Sequence, residues 1–228
     1  MLVKSPKEFV EVLGALRFPD VFNPYADKCP DYDLVDAVAI RRRNLELVVA
    51  AAIDSGVNTM WIARDLGYRG GRRTGLALTD EIHLADHASM MNINQLQRAT
   101  GGPLSAERTA QVIWQILNAI KQPVFLWNVF PLHPHASDDV MTNRAHTRPE
   151  ASACKFLLEW LMEKLRPSKV MAVGRDAQNA LEQLGFNALP VRHPSYGGQV
   201  EFLSSMRTYY NLPDSRNLEG QRQINLFD

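Results

Sequence analysis

The sequence predicts an α/β protein: one three-layer α/β/α domain around a central, mainly parallel four-stranded sheet. Three observations predict it. The apolar runs VNTMWIAR, PVFLWNVF, KVMAVG and ALPVR have the length and character of buried strands. The segments between them carry apolar residues at helical spacing. Strands that alternate with helices in the chain pair in parallel, and helices then cover both faces of the sheet.

The elements follow in order. Residues 5–16 read as an amphipathic helix, and 23–33 (NPYADKCPDYD) as a proline-punctuated loop. A longer helix is expected over 34–55, its apolar positions recurring through Leu45, Val48, Val49 and Ile53. VNTMWIAR at 57–64 is the first strand. Helical pieces follow at 82–98 and 105–120, the second introduced by Ser105 with Glu107 and Arg108 behind it. PVFLWNVF at 123–130 is the second strand, and 149–166 a helix opened by Pro149. KVMAVG at 169–174 is the third strand and runs straight into a helix at 175–184. ALPVR at 188–192 is the fourth, and 197–211 the last helix. The chain shows no internal repeat and no low-complexity segment.

Composition narrows the function. A chain of 228 residues with 46% hydrophobic content can bury one sizeable core, so residues 1–211 are read as a single domain and 212–228 as a tail. The sequence has no secretory or twin-arginine start and no apolar run of membrane-spanning length, so a soluble, cytoplasmic protein is expected. Cys29 and Cys154 are too few for a disulfide framework, a four-cysteine zinc site or a cysteine-held iron–sulfur cluster. Reduced, unpaired thiols are expected. The balance of 25 basic against 25 acidic residues gives no bulk argument for nucleic acid. Distribution gives a better one. Arg64, Arg69, Arg72 and Arg73 are interleaved with Gly67, Gly70, Gly71 and Gly75, and such loops offer backbone N–H groups to an anion. Arg41, Arg42 and Arg43 read as a solvated helix face.

Two stretches stand where strands run out into glycine-rich loops, the usual place for an α/β site: ARDLGYRGGRRTGLALTDE at 63–81 and VRHPSYGG at 191–198. The first supplies a carboxylate, Asp65, and the second a histidine, His193. Taken singly, each is as well explained as a loop aspartate or a turn histidine. His133 and His135 alternate as metal ligands can, but Pro134 separates them and no third ligand is near, so neither a metal nor any other cofactor is expected.

In these loops the sequence resembles the uracil-DNA glycosylase superfamily. ARDLGYRGGRRTGLALT aligns without gaps on the GQDPYH and GLAFS motifs of family 1, and HPS at 193–195 on HPSPLS. NPY at 23–25 and YRGGRRTG look like a bacterial branch without an iron–sulfur cluster, and the likeness runs from about residue 20 to 211. The resemblance implies a monofunctional DNA glycosylase, monomeric, that hydrolyses the N-glycosidic bond of a flipped-out base and leaves an abasic site. It implies that Asp65 positions water and stabilises the sugar cation, and that His193 hydrogen-bonds the departing pyrimidine. Asn128 would read the base edge, and Thr79 and Ser195 would grip flanking phosphates, with Arg69, Arg72 and Arg73 beside them.

Departures from the family pattern bear on the substrate. Gly67 stands where family 1 has the tyrosine that rejects 5-substituted bases, so the pocket is expected to admit such a base. Leu78 replaces the stacking phenylalanine, which leaves Tyr68 or Trp127 to stack. Leu66 replaces the family proline, and Gly197 the intercalating leucine, which leaves Tyr196 as the wedge. The substrates implied are damaged or 5-substituted pyrimidines. They include the glucosylated hydroxymethylcytosine attacked by a phage-defence branch. The terminal QINLF, with Gln223, Ile224, Leu226 and Phe227, resembles the peptide by which bacterial proteins dock on the sliding clamp; folding back on the protein's own core is the other reading. Two further functions stay open: a non-catalytic DNA-binding module, and a small-molecule or nucleotide-binding α/β domain suggested by KVMAVGRDAQNAL.

Overall fold

A computed structural model of the chain describes residues 3–120, 122–195 and 197–213. The first helix, α1 (Pro6–Ala15), starts where Ser5 Oγ accepts the Glu8 N–H at 3.2 Å, with Pro6 filling a position that needs no donor. A two-residue strand, β1 (Val21–Phe22), precedes α2 (Ala37–Asp54) and β2 (Thr59–Asp65). Then come α3 (Gly71–Thr74), α4 (Leu84–Met90), α5 (Arg108–Leu117), β3 (Phe125–Phe130) and β4 (His133–Pro134). The capping box of Thr147 and Glu150 opens α6 (Arg148–Leu165), and β5 (Lys169–Val173), α7 (Arg175–Leu184), β6 (Leu189–Val191) and α8 (Gln199–Tyr209) complete the order.

The main sheet has four parallel strands in the order β3-β2-β5-β6. Pro190 lacks an amide donor and is tolerated because β6 is an edge strand. Alternation along β2 sends Met60 and Ile62 into one apolar cluster and Trp61 and Ala63 into another. The first cluster gathers Phe9 of α1, Val48 of α2, Leu157 of α6 and Leu181 of α7. The second gathers Ile113 and Trp114 of α5 and Phe202 of α8. Helices therefore cover both faces, and each large side chain so buried contributes roughly 1.5–3 kcal/mol. The chain leaves β2 toward β3 on one side and returns as β5 on the other. This reversal opens a crevice beyond the carboxyl ends of β2 and β5, where α/β sheets hold their ligands.

Three features depart from the sequence reading. The helix expected over 82–98 spans only Leu84–Met90, because Asn92 adopts a left-handed φ of 53° that ends it. β1 and β4 form a small antiparallel pair, Val21 opposite Pro134 and Phe22 opposite His133, too short to show a period. Arg41 is not on a solvated face: it is fully buried, paired with Asp33, and donates from Nε to the Arg73 carbonyl at 3.0 Å. Cys29 and Cys154 are both buried and unpaired. Among the described residues no helix is long and apolar enough to cross a membrane.

Candidate active site

A cavity of about 360 Å³ occupies that crevice, with Asp65, Gly67, Leu78, Glu107, His193 and Ser195 among its lining residues. Asp65 is the last residue of β2, and its side chain is almost fully buried. One carboxylate oxygen accepts Arg64 Nε at 2.6 Å; the other is held by His146 Nδ1. Arg64 also reaches Asp176 Oδ2 at 2.6 Å, at the start of α7, which ties the ends of β2 and α7 together. His146 precedes the cap of α6 and packs its ring against Phe130, with centroids 5.8 Å apart. Sequence reasoning missed His146, because one histidine before a capping threonine carries no spacing signal.

His193 enters the cavity on the loop after β6. Its Nδ1 faces the Ser195 backbone N–H at 3.1 Å, and a backbone amide can only donate, so Nδ1 is the acceptor and the ring proton resides on Nε2. Burial, then the positive charge of Arg64, pushes its pKa down to about 4. The imidazole is therefore a neutral donor across ordinary pH. Gly174, at φ 96° between β5 and α7, gives this loop room: a Cβ there would stand 3.0 Å from that of His193. The Gly-turn of KVMAVGRDAQNAL thus lines the same cavity as Asp65 and His193.

Around this pair the walls differ from the sequence reading in one respect. The space beside Gly67 is not empty. Glu107, the residue before α5, makes no hydrogen bond to cap its own helix, and its carboxyl lies over Gly67 and Gly70 instead. A Cβ on either glycine would come closer than 3 Å to a Glu107 carboxyl oxygen. Burial, and Asp80 beside it, pushes that carboxyl up to about 7. Leu78 holds a left-handed φ of 53°, and its carbonyl accepts Trp114 Nε1 at 3.1 Å. Ser195 is half-buried, with its hydroxyl 3.0 Å from that of Thr109.

Asn128 lies in β3 beside Ala63 of β2. It is 1% exposed, and among the described residues neither amide atom has a partner. It is not among the residues lining the cavity. Tyr68 also lies outside the lining; its hydroxyl accepts Arg69 Nε at 2.8 Å. Trp127 packs in the core against Phe9.

Three residues read as phosphate ligands are engaged elsewhere. Arg72 is buried over the Phe22 ring at 3.8 Å and donates to Tyr32 Oη at 2.8 Å, the Val140 carbonyl at 2.9 Å and His133 Nδ1 at 3.0 Å. Arg73 stacks on Tyr32 and lies 3.3 Å from Glu81. Thr79 is fully buried and bonds the Ala77 carbonyl at 3.0 Å. Arg69 is exposed, as are Arg175 and Arg192 at the cavity. His133 is a bracing residue, donating from Nε2 to the Thr142 carbonyl at 2.8 Å. Among the described residues no cluster of metal-ligating side chains occurs. Tyr196, Gln223, Ile224, Leu226 and Phe227 lie outside the described residues.

Comparison with known proteins adds to this geometry. A family model described as the uracil DNA glycosylase superfamily matches residues 69–211, more than half of the chain; the match begins just past Asp65 and takes in Asn128 and His193. No curated protein matches the sequence. Among solved structures, WT SMUG2 of Pedobacter heparinus superposes with a TM-score of 0.56 at 13% identity, over 98% of this chain and 99% of that one. At that identity the likeness is one of fold.

Proposed function

We propose, for a chain that belongs to the uracil DNA glycosylase superfamily and is therefore a DNA glycosylase, a hydrolase of N-glycosyl bonds, that it excises a flipped-out 5-substituted pyrimidine. One observation carries this reading: Asp65 and a neutral His193 face one cavity whose wall at position 67 is a glycine, covered by the Glu107 carboxyl where family 1 has a tyrosine ring. Breaking the C1′–N1 bond sends the electron pair to the base and leaves positive charge on the sugar. The Asp65 carboxylate, oriented by His146 and Arg64, stabilises that cation and holds the water that adds to C1′. His193 donates its Nε2 proton in a hydrogen bond to the departing base, whose charge develops as the bond breaks. The buried amide of Asn128, one strand over from Ala63 of the cavity wall, is the base-edge reader in this scheme, which requires the cavity to open toward β3 as the base enters. The amide would gain partners when the base enters, and a buried amide without partners costs roughly 1–3 kcal/mol.

Ser195 and the exposed Arg69, Arg175 and Arg192 take the phosphate role that Arg72, Arg73 and Thr79 cannot. Tyr196 remains the proposed wedge. Two buried, unpaired thiols suit a reducing compartment, which favours the cytoplasm. The terminal QINLF is proposed as a clamp-docking peptide, and unchanged clamp binding after deletion of 223–228 would remove that idea.

The substrate is tested on synthetic DNA carrying uracil, 5-hydroxymethyluracil or glucosylated hydroxymethylcytosine, with abasic sites scored. Release of either 5-substituted base supports the reading. Strict preference for uracil defeats it.

A further inference from the structure

Glu107 is an ionisable side chain of the cavity wall that the glycosylase mechanism above does not use; Arg144 and Asp176, also on that wall, are paired with Glu150 and Arg64. Glu107 sits at the start of α5 without capping that helix. Its backbone N–H is held by Asp80 Oδ2 at 2.7 Å, which fixes where the side chain starts. The carboxyl crosses to the opposite wall and lies over Gly67 and Gly70, where any larger residue would collide with it. Among the described residues it has no hydrogen-bond or ion-pair partner, although Arg64, Arg144, Arg175 and Arg192 all line the same cavity. A cavity carboxyl with a raised proton affinity and no protein partner is a candidate for contact with a ligand.

We propose that Glu107 is the specificity residue for the base, selecting pyrimidines whose 5-substituent carries a hydroxyl. The inference rests on the proposed excision of 5-substituted pyrimidines and adds the chemistry by which they are chosen. Gly67 and Gly70 bring no side chain of their own, so the Glu107 carboxyl supplies the polar side-chain group over that wall segment. A hydroxymethyl group both donates and accepts, and the carboxyl answers it in either protonation state. Burial holds the group near its midpoint at neutral pH, so donor and acceptor forms are both available there. A 5-methyl group offers the carboxyl nothing and leaves it unpaired, so thymine is rejected by lost hydrogen bonding, without a steric wall.

The test compares single-turnover release of 5-hydroxymethyluracil, uracil and thymine from otherwise identical DNA by wild type, Glu107→Gln and Glu107→Ala. The ratio of the hydroxymethyl to the uracil rate is the readout, because a folding defect lowers both rates together. Wild type is expected to favour the hydroxymethyl base, Glu107→Ala to lower that ratio by roughly tenfold, and Glu107→Gln to keep part of it. A wild type that releases the hydroxymethyl base with an unchanged ratio in Glu107→Ala overturns the role of Glu107 and leaves the proposed function standing. A wild type that releases no 5-substituted base overturns both.

Discussion

Replacing His193 with alanine removes the neutral hydrogen-bond donor that the proposed mechanism assigns to the departing base. Nδ1 is occupied by the Ser195 N–H at 3.1 Å, so within the imidazole only Nε2 can serve. Loss of a single preorganised donor to a developing anion costs about 10²–10³ in rate, or about 2.7–4 kcal/mol. The assay is single-turnover base release from a defined oligonucleotide, with DNA affinity measured alongside; the rate constant should fall by that factor while affinity changes little. The pKa adds a second requirement. Because the imidazole stays neutral down to about 4, the ratio of wild-type to variant rate should be constant from about pH 5 to about pH 8. A loss of less than about threefold would refute the donor assignment. A ratio that collapses on acidification toward about pH 6 would show a histidine titrating at its ordinary value and refute the neutral-donor argument.

Other expectations follow from the same geometry. Arg72→Ala should destabilise the fold by roughly 2–4 kcal/mol by stripping partners from buried acceptors, read as a lower urea midpoint; an unchanged midpoint with weaker DNA binding would return Arg72 to the phosphate role. Gly174→Ala should slow base release and cost roughly 1–3 kcal/mol, since φ is 96° there and the new Cβ meets His193; a normal rate would show that the loop has slack. Acid should weaken the fold. Burial pushes the pKa values of His87 and His133 down to about 3, whereas the unfolded chain protonates its histidines near about 6.5, so stability is full above that pH and falls as pH drops. The loss is about 1.4 kcal/mol per pH unit for each histidine, and a urea midpoint equal at pH ~7 and pH ~4 would contradict it.

The parallel sheet was legible because its strands are long apolar runs between amphipathic helices, a pattern that local periodicity records. The antiparallel β1–β4 pair was not, since two residues cannot show a period of two. That Asp65 and His193 would line one cavity was legible from strand ends and motif residues. The arginines misled, because sequence shows charge but not whether a Phe22 ring and a carbonyl await it: Arg72 braces the loops it was expected to expose. Glu107 read only as part of a helix start. Its function depends on facing Gly67 across forty residues of chain, a juxtaposition that only the fold creates. The same holds for His146, which the loop before α6 delivers to Asp65.

The central claim is that Asp65 drives base release in this cavity. The most direct measurement is mass spectrometry of bases freed from DNA of mixed modification, with wild type and Asp65→Asn side by side. The account predicts a free pyrimidine and matching abasic sites with wild type, and a loss of about a hundredfold or more with Asp65→Asn at retained DNA binding. Equal release by both proteins, or DNA binding with no base released by either, would contradict it.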